Sequence, residues 1–522
     1  MIVNQAEFPP LPSQMKRTRR LDSQSRPSAK KATSFATAND LPDELLLQIL
    51  DYLPCHDLKN FNLPTIISLS LTSRRLHYIV EDKLYAAYNS FFATPYLFLR
   101  TCGNNRQISQ RVKSLDFSYG LDVHADRKRF IPSVTDRREL KGALKALEIP
   151  GWKDWATDCN DEMVDMEILY AAILMFTPNV TSLYIDDGDL PYQTPKWLNV
   201  IHCAVSGIPF GHMHQFSYLK SIRVDIGALN LRSLWPLFRL PSLRALTMIG
   251  LLEPRIFPHY KLTPQTWRIA PGSCPIEELM LPDCFINTTN LVMLLDACRT
   301  LRIFQYEHRD ERSLNRKEQY TAYPGSALGS TLGTTKLHYP TIASALERHC
   351  HSLENLQLYD DFEKIRPSYL STGIVGNLQD FKKITYMKGS LGALADVNAP
   401  SRATLVENLP RALKSFHLVI NWSPQEHHSV SALEHMASYC QTYVPLLEHI
   451  HIEAKAHASA FPFSWNKIRK KFYEMGVKMV LNQASNPYSD DDGAEYWLDR
   501  EVWEVSDESE STSESDFYES DN

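Results

Sequence analysis

LENLQL, residues 353–358, carries leucine at its first, fourth and sixth positions. The last two are spaced by two, which puts both side chains on one face of a β-strand; the first belongs to the turn leading in. The same spacing recurs as Val112/Leu115/Phe117, Val180/Leu183/Ile185, Leu219/Ile222/Val224, Leu243/Leu246/Met248 and Ile276/Leu279/Leu281 before it reaches Leu301/Phe304/Tyr306. Beyond Leu353/Leu356/Leu358 it continues as Phe381/Ile384/Tyr386, Leu413/Phe416/Leu418 and Leu447/Ile450/Ile452. Helix-like segments precede several copies, at Met166–Phe176, Asn290–Cys298, Ile342–Cys350 and Val430–Tyr443. A strand-plus-helix unit cannot bury its apolar face alone, whereas stacked units share one continuous core, so residues 92–485 are expected to form an irregular α/β solenoid of the leucine-rich-repeat type. The alternative is an ordinary α/β domain whose buried strands share the spacing.

The intervals between copies are irregular. The longest, from Val112 to Val180, accommodates either a degenerate repeat or a helical insertion around Trp152 and Trp155. Another holds a polar stretch rich in Gly, Ser and Thr, read as an inserted loop over residues 308–338. In such an array the side chain between the two buried strand positions faces the open surface. Those residues are Asp116, Tyr184, Arg223, Thr247, Met280, Gln305, Gln357, Thr385, His417 and His451, the candidates for a substrate surface. Their mixed chemistry suits a protein or peptide partner better than a phosphate backbone. The bland reading is that most are simply solvated strand residues.

Upstream, NDLPDELLLQILDYL at residues 39–53 reads as a helix start. Pro42 suits a first turn, where its missing N–H has no partner to lose, and Asp43 and Glu44 sit where the helix dipole favours negative charge. Two apolar rows follow at helical spacing, Leu41/Leu45/Ile49 and Leu46/Leu50/Leu53, which lets one row pack on its own domain and the other on a partner. Further helices are expected at about Ile66–Val80 and Asp82–Phe91, making a three-helix module over 39–91 with a small core.

LPDELLLQILDYLPCHDL followed by SLSLTSRRLHYIV resembles an F-box. The resemblance covers about 45 of 522 residues and rests on Leu41, Pro42, Glu44, Leu45, Ile49, Leu50, Leu53, Asp57, Leu58, Leu71, Arg74 and Arg75. KNFNLPT, residues 59–65, departs from the family as an insertion. The resemblance implies docking on a Skp-type adaptor through Leu41, Pro42, Leu45, Ile49, Leu50, Leu53, Asp57, Leu58, Leu71 and Arg74. Through that adaptor it implies a cullin and a RING subunit, with a protein substrate captured by the downstream array. Ubiquitin transfer would then belong to other subunits; the gain is the effective concentration of a tethered substrate. The alternative is an F-box scaffold acting outside ubiquitination.

Charge and motif content narrow the rest. The formal net charge of −6 divides into +5 over residues 1–38 (seven basic, two acidic), −13 over 486–522 (one basic, fourteen acidic) and +2 between. A near-neutral body lacks the broad basic surface of a nucleic-acid binder. Residues 1–38 are expected to be a disordered basic arm and 486–522 a disordered acidic tail. Lys16, Arg17, Arg19, Arg20, Lys30 and Lys31 read either as a nuclear-import signal or as a solvated arm. Ser511 and Ser513, each with an acid three residues on, fit an acid-preferring kinase or a merely solubilising tail.

No apolar run approaches the ~20 residues that span a bilayer, and the first thirty residues lack a signal-peptide core. Nine scattered cysteines without a C-x-x-C pair fit reduced thiols in cytoplasm and/or nucleus. No phosphate-binding loop, dinucleotide fingerprint, nucleophile elbow or RING-type ligand spacing is present. Gly325, Gly329 and Gly333 fall in a polar loop, His349/Cys350/His351 cluster without zinc spacing, and His427/His428 lack the metalloprotease pattern. The expectation is an α+β chain, with no membrane or nucleic-acid partner, cofactor, metal or catalytic site.

Overall fold

The computed structural model describes residues 41–52, 63–90, 93–118, 130–162, 164–186, 194–207, 210–225, 231–251, 267–309, 337–361, 371–395, 405–420, 426–454 and 465–483. The expected basic arm and acidic tail lie outside these residues, as does most of the expected 308–338 loop. The chain divides into two compact units between Leu84 and Tyr85.

The first unit contains α1 (Asp43–Asp51), α2 (Leu63–Thr72) and α3 (Arg74–Leu84). Pro42 precedes α1, and Asp43 and Glu44 occupy its first turn. Leu46 and Leu50 from α1 meet Ile66 from α2 and Ile79 and Val80 from α3 in a core of five buried side chains, with Leu41, Leu69, Leu76 and Leu84 packed around it. Arg75 ties α3 to the start of α1: its Nε donates to Asp43 Oδ1 at 2.7 Å, and its guanidinium donates to the Leu41 carbonyl.

The helix expected over Ile66–Val80 is two helices. Ser73 Oγ accepts the Leu76 N–H at 3.1 Å, and a side-chain acceptor at that point starts a new helix while ending the old one. The helix expected over Asp82–Phe91 does not form: its first residues finish α3, and Ala87–Asn89 form a strand of the second unit. The three-helix module therefore closes at Leu84.

In the second unit, strands β1 (Ala87–Asn89), β2 (Ser114–Ser118), β3 (Ser182–Asp186), β4 (Ser221–Asp225), β5 (Ala245–Ile249), β6 (Glu278–Cys284), β7 (Ile303–Arg309), β9 (Asn355–Asp361), β11 (Tyr386–Ser390), β12 (Ser415–Ile420), β13 (His449–Ala454) and β14 (Lys478–Gln483) form one parallel sheet in chain order. A separate pair joins β8 (Leu337–His338) to β10 (Ser371–Thr372). Inter-strand register stacks like on like: Leu115, Leu183, Ile222, Leu246, Leu279, Phe304 and Leu356 are successive partners. None of them is more than 1% exposed.

A second ladder runs just ahead of the strands. The carbonyls of Lys113, Thr181, Lys220, Arg244, Glu277, Arg302, Glu354, Thr385 and Lys414 each accept two consecutive N–H groups from the next segment, at 2.7–3.4 Å. This pairing satisfies backbone groups in the turns and locks each strand to its neighbour. Charged members pair along it, Arg244 with Glu277 at 3.4 Å and Arg302 with Glu354 at 3.0 Å.

Helices supply the second layer. The apolar segment Met166–Phe176 buries eight of its side chains and starts at Asp165, whose carboxylate accepts the Glu167 N–H. Helices at Thr288–Ala297, Tyr339–Leu346 and Glu426–Tyr443 match the expected segments to within a few residues. The long interval after β2 is a helical insertion, Val134–Ala146 and Trp152–Cys159, because β2 pairs directly with β3. Among the described residues no helix is long and apolar enough to cross a membrane.

Candidate protein-docking surfaces

On the first unit, α1 splits its apolar residues between two destinations. Leu46 and Leu50 are 7% and 5% exposed, whereas Leu45 and Ile49 are 43% and 52% exposed. The cause is the 100° step per residue: 46 and 50 share the face turned to α2 and α3, and 45 and 49 sit beside it. Leu50, read from the sequence as part of the docking ridge, is thus a core residue. Leu41 is half-buried against that core and Pro42 is exposed. Leu71 and Arg74 are exposed on α2 and α3, while Arg75 is held by Asp43. Leu53, Asp57 and Leu58 lie outside the described residues. Of the presumed insertion, Leu63, Pro64 and Thr65 are the first turn of α2.

Three exposed apolar side chains escaped the sequence reading: Leu47, Tyr52 and Tyr78. Leu47 fits neither apolar row, and Tyr78 lies in a stretch read as one continuous helix. Exposed apolar side chains on a module with a five-residue core leave apolar area to bury on association.

On the second unit, nine of the ten candidate surface residues occupy the third position of their strands. Asp116, Tyr184, Arg223, Thr247, Met280, Gln305 and Gln357 are successive register partners, and His417 pairs with His451. Thr385 is the exception. It precedes β11, and its carbonyl belongs to the turn ladder. The residue partnered with Gln357 and His417 is Lys388. The sequence spacing slipped by three because the third anchor of this strand is Gly389, which offers no apolar side chain to count. A Cβ there would stand 2.8 Å from Leu394 Cδ1. The row also extends to Asn89 and Val480 on the terminal strands. β14 was invisible because its leading anchor is Gly476, and β1 is three residues long.

The row is electrostatically structured. Asn89 Nδ2 donates to Asp116 Oδ2 at 2.7 Å. Burial, reinforced by the charge of Asp186, pushes the Asp116 carboxyl up to about 6. The Arg223 guanidinium lies 5.5 Å from the Tyr184 ring, within cation–π range. Toward the other end, Glu453 Oε2 receives His417 Nε2 at 3.0 Å and Lys388 Nζ at 3.5 Å. Lys388 also sits 4.1 Å over the Tyr359 ring, whose hydroxyl donates to Glu307 at 2.9 Å. The His417 and His451 rings are 4.1 Å apart, and burial followed by the His417 charge lowers the His451 pKa.

His349, singled out beside Cys350 and His351, is a structural residue. Its Nδ1 accepts the Leu301 N–H at 3.3 Å and its Nε2 faces the Leu295 carbonyl at 3.4 Å. Among the described residues no group of three or more His, Cys, Asp or Glu is arranged to hold a metal ion.

With this geometry in place, comparison with known proteins adds one finding. Residues 38–89 match the F-box-like family model, so the first unit carries an F-box-like domain. The match extends a few residues past α3 to the end of β1. Among curated proteins none matches the chain.

Proposed function

We propose that this chain is the substrate-recognition subunit of an SCF-type cullin–RING ubiquitin ligase. In this reading the F-box-like unit docks on a Skp-type adaptor, and the second unit is a leucine-rich-repeat-like solenoid that holds a protein substrate on its strand face. The observation that carries the proposal is the coincidence of the F-box-like match with a module that leaves Leu45 and Ile49 exposed beside its core. The chain-ordered parallel sheet supports the second half, since it presents one side chain per repeat along a continuous face. The chain acts without a catalytic site or cofactor of its own, in cytoplasm or nucleus, by raising the local concentration of substrate at the transferring enzyme.

The test is reconstitution with purified adaptor and cullin. The intact chain is expected to bring down both, and Leu41→Ala with Pro42→Ala to lose both while the second unit keeps its melting transition. Adaptor binding without cullin, and no protein whose lifetime depends on this chain, would instead mark it as a scaffold outside ubiquitination.

A further inference from the structure

The strand face of the second unit is not uniform in charge. At β2–β4 the part-exposed or exposed side chains are Asp116, Tyr184, Asp186, Arg223 and Asp225, three carboxylates to one guanidinium. Asp186 and Asp225 are register partners on adjacent strands, so two carboxylates stand side by side at the ends of β3 and β4. At β11–β14 the corresponding side chains are the two lysines Lys388 and Lys478 and three imidazoles, His417, His449 and His451, of which His451 is biased to its neutral form by burial and by His417. They face one carboxylate, Glu453, already engaged by Lys388 and His417. Between the two ends the row of Thr247, Met280, Gln305 and Gln357 is neutral; the flanking positions add Glu278, half-buried, and Glu307, buried against the Tyr359 hydroxyl.

We propose that this face holds an extended protein segment of complementary polarity, with lysine or arginine side chains over β2–β4, carboxylates over β11–β14 and a neutral stretch between. The inference rests on the reading of the second unit as the substrate-holding part and names the class of substrate. From β3 to β12 the sheet order spans seven strand steps; at about 4.8 Å each this is about 34 Å, the reach of about ten extended residues. That separation exceeds the screening length of ~8–10 Å in physiological salt, so each end recognises its counterpart independently. A segment with charges mixed along its length satisfies neither end.

The test uses the intact chain and two fluorescent peptides of about twelve residues and identical composition. One has three lysines at one end, three glutamates at the other and Gly/Ser between; the other alternates the charges. Fluorescence anisotropy at low ionic strength is expected to show the segregated peptide binding about five- to tenfold tighter, the preference shrinking as salt is added. Asp186→Asn with Asp225→Asn, and separately Lys388→Gln with Lys478→Gln, are expected to remove most of that preference without lowering the melting temperature by more than a few degrees. Equal affinities for the two peptides, or a preference that survives both pairs of substitutions, overturn the proposal. So does a preference that emerges only after residues 486–522 are deleted, because the basic end would then belong to the chain's own acidic segment. Adaptor titration on the same preparations separates the two readings. Adaptor binding without peptide preference defeats this inference alone, and peptide preference without adaptor binding defeats the proposed function alone.

Discussion

Leu45 and Ile49 on one side of α1, and Leu50 on the other, should separate adaptor affinity from folding. Complete burial of a leucine or isoleucine side chain is worth ~1.5–3 kcal/mol. With 43% of Leu45 and 52% of Ile49 still exposed, about half of that remains for a partner, ~1 kcal/mol per residue. Leu45→Ala with Ile49→Ala is therefore expected to weaken adaptor binding by ~2 kcal/mol, about 30-fold. Leu50 is 5% exposed in a core of five residues. Truncating it to alanine costs ~2–3 kcal/mol of stability, most of what so small a module has. The assay is calorimetric titration with purified adaptor, paired with hydrogen exchange over residues 43–84. For the double variant, affinity should fall while exchange protection persists. For Leu50→Ala, protection should collapse, and affinity should return on cooling or with a stabilising osmolyte. A double variant that binds within twofold of the native chain, with protection intact, would show that this face is not the docking surface.

Three further outcomes follow from the second unit. Asp116 has a folded pKa of about 6 against an unfolded value of 3.8, so the folded state holds the extra proton between them and stability falls as pH rises through that window; Asp116→Asn should raise stability at pH 7 by ~1–2 kcal/mol after allowance for partial exposure, read from denaturation midpoints at pH 4 and 7. His214 is opposite in sign: burial, partly offset by its hydrogen bond to the Leu174 carbonyl, takes it down to about 4 from 6.5. The unfolded chain then binds the proton first, and up to ~3 kcal/mol present above pH 6.5 is lost as pH falls toward 4; His214→Gln should flatten that slope. Gly211→Ala should cost more than ~2 kcal/mol in a thermal melt, because Gly211 has φ +62° and an added Cβ would stand 2.1 Å from the Leu147 carbonyl oxygen, which only a backbone shift relieves.

Much of the sheet was legible because its strands are buried at every second position and enter through an apolar turn residue, a constraint that writes itself directly into spacing. Where an anchor is glycine, as at Gly389 and Gly476, the same backbone geometry leaves no hydrophobic mark, and Lys388 and Val480 were missed while Thr385 was taken in error. In the first unit the composition of α1 was legible but its division of labour was not: two rows of equal apolarity do not say which one faces the core, and Leu50 fell on the inner side. The break at Ser73 was carried by a single capping hydroxyl, a signal easily outweighed by the apolar periodicity running through it. The charge segregation along the strand face lies in no contiguous stretch, since Asp186 and Asp225 become neighbours only through register.

Gly389 also sets a limit for anyone redesigning this sheet. Averaging the strands would write leucine at the third anchor of every one, the usual route to a hardier scaffold. At this one station the seat is already taken by Leu394, folded back from the short helix Leu391–Leu394 that begins where β11 ends. A leucine installed there would evict its tenant and unseat that helix, so idealisation of the sheet must leave this irregular strand as it stands.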